Sequence, residues 1–165
     1  VMIGPSDNGQ VDPAHRDAKA GMLEKLGGLG FLGEEERAVL ASYLDYRRLA
    51  EGEVLWEEKQ PARYLALLLA GRLEIKKDTE FPGKQVVVGV YGPGAVVGEL
   101  SFFDGAPRAV TVVALEQAEL ATLSRERFSS LEAQHPDVAA ALSRGVLLAL
   151  ASRLKQAYER LAAIF

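Results

Sequence analysis

Apolar positions along the chain change their period twice. From Gly21 to Leu49, the residues Leu23, Leu26, Leu29, Phe31, Leu32, Val39, Leu40, Tyr43 and Leu44 recur mostly at helical spacing, broken by Gly27-Gly28 and Gly30. This predicts two short helices over 21–49 with a loose joint. At Gly52 the period shortens. β-prone runs follow at Val54–Trp56, Tyr64–Ala70, Arg72–Lys76, Gln85–Tyr91, Ala109–Ala114 and Glu119–Leu123, separated by Gly71, Pro82-Gly83 and Gly92-Pro93-Gly94. Such separators reverse a chain through free or fixed φ. Within Arg72–Lys76, Leu73 and Ile75 alternate with charged neighbours, as in a strand with one buried face. Several short strands over 50–124 predict an antiparallel sandwich or barrel. Helical character returns over 125–165. Arg125–Gln134 is one helix, His135-Pro136 a break, and a long helix follows with Asp137 placed as its cap. Residues 1–20 carry Gly4-Pro5-Ser6-Asp7-Asn8-Gly9 and little periodicity, and read as a flexible lead-in.

Along the last helix Leu147, Leu154 and Leu161 lie seven apart, with Leu150, Ala157 and Ile164 three after each. These are the a and d positions of a short coiled-coil seam. The stripe suits packing on the chain's own barrel as well as a homodimer through Leu147, Leu150, Leu154, Leu161 and Ile164.

The chain of 165 residues fits one domain with a real core. No apolar run approaches the roughly 20 residues of a membrane span, and nothing resembles a secretory signal. The absence of cysteine excludes a disulfide scaffold and a thiolate metal site. A cytoplasmic setting without membrane attachment is therefore expected. The net charge of −4 argues against a broad nucleic-acid footprint. With no helix-turn-helix after the long helix, direct nucleic-acid binding by this chain is not expected. His15 and His135 are the only histidines, far apart in sequence. That argues against a multi-histidine metal site and against histidine-based acid/base catalysis. Glu34-Glu35-Glu36 and Glu57-Glu58 read as solvated charge. Neither enzymatic activity nor a metal is expected.

The candidate chemistry lies in Gly98-Glu99-Leu100-Ser101-Phe102-Phe103-Asp104-Gly105-Ala106-Pro107-Arg108-Ala109-Val110-Thr111-Val112. If Gly98 ends a strand and Glu99 opens a turn or two of helix, the first backbone N–H groups lack intrahelical partners and can face an anion. Arg108 returns to the same place with a planar fork of donors able to grip two phosphate oxygens. Glu99 can accept a hydrogen bond from a sugar hydroxyl beside that phosphate. A carboxylate and a guanidinium together describe a phosphorylated sugar.

Gly98-Glu99-Leu100, Gly105, Pro107-Arg108-Ala109 and Thr111-Val112, with Arg108 ten residues after Gly98, resemble the phosphate-binding cassette of the cyclic-nucleotide-binding domain family. That family includes regulatory subunits of cyclic-AMP-dependent kinases, gated ion channels and catabolite-activator-type regulators. The resemblance spans roughly residues 23 to 162, with glycines near Gly52, Gly71 and Gly94. It implies an α+β fold, mainly β: an antiparallel β-roll or jelly-roll barrel flanked by N-terminal helices and a long C-terminal helix. It implies that Glu99 takes the ribose 2′-hydroxyl and Arg108 the exocyclic phosphate oxygens. Backbone N–H groups of Leu100 and Ala109 complete the cradle, and Gly98 leaves room for the sugar. Ser101 and Val110 join these as cassette candidates, although Ser101 alone suits a turn cap and Phe102 and Phe103 a core anchor. Val86, Val88 or Val96 is expected against the base, and Arg153, Gln156 or Tyr158 at its edge. Two departures stand out. Lys59 occupies a position where many members have glycine, so that turn is expected to differ. Ala109 offers no hydroxyl to a guanine amino group, which tilts the expected ligand toward cyclic AMP over cyclic GMP. The implied function is a regulatory sensor whose ligand moves the C-terminal helix through Leu100, Phe102 and Phe103. The alternatives are a ligand-free dimerisation scaffold on the same fold, or the sensor fragment of a transcription regulator or channel.

Overall fold

In a computed structural model that describes residues 21–22, 24–28 and 30–164, eight strands and four helices follow a short 3-10 turn at Leu26–Gly28. The lead-in expected over 1–20 lies outside the described residues. The strands are β1 (Asp45–Leu49), β2 (Val54–Trp56), β3 (Tyr64–Ala70), β4 (Leu73–Asp78), β5 (Gln85–Tyr91), β6 (Val96–Val97), β7 (Thr111–Ala114) and β8 (Ala118–Ser124). The helices are α1 (Glu34–Ala41), α2 (Glu99–Asp104), α3 (Arg125–Gln134) and α4 (Pro136–Ala162). Every pairing is antiparallel. The strands form two four-stranded sheets, β1-β8-β3-β6 and β2-β7-β4-β5. This is the β-roll with its long C-terminal helix.

The first sheet is the middle layer, and β3 shows why. Leu65, Leu67 and Leu69 join a cluster with Leu40, Leu131, Leu142 and Val146 from the helices. Ala66 and Leu68 point the other way, into the roll, against Leu55, Trp56, Leu73, Ile75 and Val112 of the second sheet. Both faces of the strand are apolar because both are covered, which explains the unbroken run Tyr64–Ala70 in the sequence. Each fully buried leucine of this kind contributes about 1.5–3 kcal/mol. Strand β5 is an outer edge, and Val86, Val87, Val88 and Val90 are all substantially exposed on it.

Local chemistry sets the helix ends. Glu36 accepts the Gly33 N–H at 2.8 Å before α1, and the Ser124 hydroxyl accepts the Arg127 N–H before α3. Helix α4 is capped two residues before the expected Asp137. His135 is the N-cap and Pro136 takes the first helical position, where a missing N–H costs nothing. The 21–49 stretch is not helical throughout, since Asp45–Leu49 is a strand. Its sequence, Asp-Tyr-Arg-Arg-Leu, has little strand preference of its own. Pairing with β8 from Asp45↔Thr122 to Leu49↔Ala118 makes it one. Strand β6 is only two residues long, too short to show a period.

Candidate functional site

The cassette begins where β6 ends. Gly98 has φ of 80°, and a Cβ there would lie 2.5 Å from Arg108 Nη1 and 2.8 Å from Trp56 Cη2. Backbone conformation and space therefore both require glycine. Helix α2 follows and closes at Gly105, whose N–H donates to Ser101 O. The return loop is braced from inside. The Ser101 hydroxyl donates to Pro107 O at 2.8 Å, and Asp104 Oδ1 accepts the Ala106 N–H at 2.8 Å. Two backbone bonds of 2.8 Å, Arg108 N–H to Gln60 O and Lys59 N–H to Arg108 O, then fasten the loop to the β2–β3 turn. In that turn, expected to differ because Lys59 replaces a glycine, Lys59 itself adopts the left-handed conformation, with φ of 71°. This strain costs on the order of 1 kcal/mol and is held by the same two bonds.

Arg108 is only 3% exposed. Its Nη2 donates to Tyr64 O at 2.7 Å and its Nη1 to Gly98 O at 3.4 Å. The guanidinium carbon lies 3.6 Å from the Trp56 ring centroid and 5.0 Å from that of Tyr64. No carboxylate bridges to it among the described residues, since Glu99 pairs elsewhere and Asp104 caps its own loop. Burial lowers its pKa to about 10, which leaves it charged at neutral pH. Its Nε and the Trp56 Nε1 are buried with no hydrogen-bond partner among the described residues. A buried cation with no bridging carboxylate among the described residues and an unpaired donor is costly, and an anion at this place would relieve both costs.

Glu99, 5% exposed, accepts from Arg153 Nη1 at 2.7 Å. Arg153 also donates to Val96 O at 2.5 Å and sits 4.2 Å from the Tyr91 ring centroid. Burial pushes the Glu99 carboxyl above the usual carboxylate range, while the charges of Arg153 and Arg108 pull it back. This pair ties the cassette to α4 across 54 residues of sequence.

These groups surround a cavity of about 120 Å³, or about 510 Å³ with its open mouth. Of the residues expected from sequence, Val88, Gly98, Glu99, Leu100, Ser101, Arg108, Ala109, Val110 and Arg153 line it. Others do not. Val96 is buried in the helix-side cluster, because side chains alternate along a strand and its neighbour Val97 takes the cavity side. Val86 is exposed on the β5 edge. Tyr158 is 62% exposed, since five residues after Arg153 places it about 140° around the helix. Gln156 lines a separate groove beside Gly89 and Val90. Phe102 is buried as expected, but Phe103 is about half exposed, its ring edge-on to Phe102 and Phe128. Val112, the last residue of the cassette, also lines the cavity, and sequence reasoning missed Trp56, Ile75, Tyr91 and Val97, which line it too. Strand pairing brings them there, and no local motif marks them.

The family model for the cyclic nucleotide-binding domain matches residues 46–135. The lysophospholipase nte1 of Aspergillus fumigatus is 33% identical over 118 residues, 71% of this chain and 7% of that protein. The cyclic AMP receptor protein of Thermus thermophilus is 30% identical over 126 residues, 76% of this chain and 56% of that one. The chain thus spans well under two thirds of the length of either relative. A cyclic nucleotide-binding domain from Methylobacillus flagellatus superimposes with a TM-score of 0.82 at 27% identity, covering 90% of this chain and 86% of that one. Among the described residues no helix is long and apolar enough to cross a membrane.

Proposed function

This chain belongs to the cyclic nucleotide-binding domain family, and from that premise we propose that it is a cytoplasmic sensor which binds cyclic AMP in preference to cyclic GMP and passes the event to α4. One observation carries the reading. Arg108 is a buried, charged guanidinium with no carboxylate partner and an unpaired Nε among the described residues, set against the Gly98 cradle. A monoanionic phosphodiester supplies the missing charge and acceptors. In this reading Glu99 accepts a hydrogen bond from the ribose 2′-hydroxyl, and the methyl of Ala109 gives a guanine amino group nothing to bond.

Output runs through Glu99. A ligand shifts an equilibrium only when its contacts differ between two states. A ribose hydroxyl on Glu99 changes the bond that Arg153 now makes to it, and Arg153 belongs to α4. Calorimetric titration of refolded, ligand-free protein is expected to give saturable binding of one cyclic AMP per chain, tighter than cyclic GMP. Silence with both nucleotides, from demonstrably folded protein, would replace the sensor reading with a scaffold. Glu99→Ala and the 2′-deoxy ligand are each expected to weaken binding, with a combined effect at least about 0.5 kcal/mol short of the sum. Full additivity would rule out direct contact between Glu99 and the 2′-hydroxyl.

The α4 stripe divides. Leu150 packs on the chain's own core, whereas Leu147, Leu154, Leu161 and Ile164 are exposed. This favours a homodimer seam over the helix's outer turns, where altered pairing of two α4 helices would be the readout. Leu154→Glu is expected to weaken self-association on the order of a hundredfold, since a seam position would bury an unpaired charge. Sedimentation of both proteins at matched concentrations decides it, and a monomeric wild type would sink the seam.

A further inference from the structure

We propose that Trp56 is a positioning residue of the anion site, holding the Arg108 guanidinium against its indole face so that the donor fork is set before a phosphate arrives. The inference rests on the cyclic nucleotide reading and adds a residue that the cassette motif does not contain. Trp56 closes β2, facing Val112 of β7, and is buried inside the roll. Arg108 lies 3.6 Å from its ring centroid, which is van der Waals contact. Tyr64 stands edge-on to Trp56, with centroids 5.6 Å apart at 73°, and its own ring is 5.0 Å from the same cation. The guanidinium is therefore walled by two aromatic rings and tethered by two backbone carbonyls, Tyr64 O and Gly98 O.

A desolvated cation on a tryptophan face is the strongest form of cation–π contact. It also removes the rotamer freedom that a long arginine would otherwise lose on binding. The same indole edge explains the tight fit at Gly98, where an added Cβ would meet Trp56 Cη2 and Cζ2 at 2.8 and 3.0 Å. Gly98, Trp56 and Arg108 thus form one packed unit, with the ring as its floor. A tryptophan placed only to fill the roll would be replaceable by any apolar side chain that keeps the fold.

The chain has a single tryptophan, so biosynthetic replacement by mono-, di- and trifluorotryptophan changes this ring alone while keeping its shape. Calorimetry with cyclic AMP is expected to show affinity falling at each fluorination step. Trp56→Leu is expected to lose roughly tenfold, with Trp56→Phe retaining most of the affinity. A flat or rising fluorination series would overturn the proposal, as would a folded Trp56→Leu protein that binds like wild type. Should Trp56→Leu fail to fold, the isosteric series decides alone. A wild type that binds no cyclic nucleotide at all would defeat the sensor reading itself, a result distinct from a binding wild type indifferent to Trp56.

Discussion

Arg108→Ala is expected to weaken cyclic nucleotide binding by at least about 2 kcal/mol, roughly thirtyfold, because a phosphate buried against this loop loses the guanidinium that neutralises it. The free protein should tolerate the change far better than the complex. Burial already disfavours the charged side chain, as its pKa near 10 records, and no salt bridge to a carboxylate is broken among the described residues. What the free protein loses is packing on Trp56 and two hydrogen bonds to carbonyl groups. Calorimetry of the variant, with its thermal unfolding as a control for folding, separates the two effects. A folded variant with wild-type affinity would remove the cassette from the account of binding. Arg108→Lys should recover only part of the loss, since an ammonium can neither present a planar fork nor lie flat on the indole.

The largest effect on stability is expected from Gly71→Ala, at the corner between β3 and β4. Two costs coincide there. The residue has φ of 82°, a conformation that a side chain resists. Its added Cβ would also lie 2.3 Å from Gln117 O and 2.7 Å from Ala118 Cα. Those are backbone atoms at the start of β8, the strand that pairs with both β1 and β3. They cannot rotate away as the end of a side chain can. Relief requires the corner or the strand to move, and the middle sheet holds both in place. A loss of about 2–4 kcal/mol is expected in urea unfolding. A change below about 0.5 kcal/mol would show that the corner relaxes freely.

The failures of sequence reasoning at the site have one cause. Val96 and Val97 are identical in type and adjacent, yet one faces the helices and the other the cavity. A two-residue strand has no period from which to read its facing, and pairing with Ala66 and Leu67 of β3 sets it. Asp45–Leu49 failed for a related reason, since its strand exists through β8. The lid is the reverse case. Arg153, Gln156 and Tyr158 were equivalent on the helix until packing of the first half of α4 fixed its rotation and turned Arg153 toward Glu99.

By itself the sequence determined what is local: the β-prone runs that become most strands, the turn residues between them, the helical periods, and the fifteen-residue cassette with Gly98, Glu99 and Arg108 at their spacing. Those features depend on residues near one another along the chain, where backbone geometry limits the outcomes to a few. Tertiary structure alone decided which distant groups meet there. Trp56 and Tyr64 wall the cation, Tyr91 and Arg153 close the other side, and Glu99 is paired with α4. Each of these contacts depends on strand register or helix rotation. Both are set by burial of the whole core, which no short stretch of sequence contains.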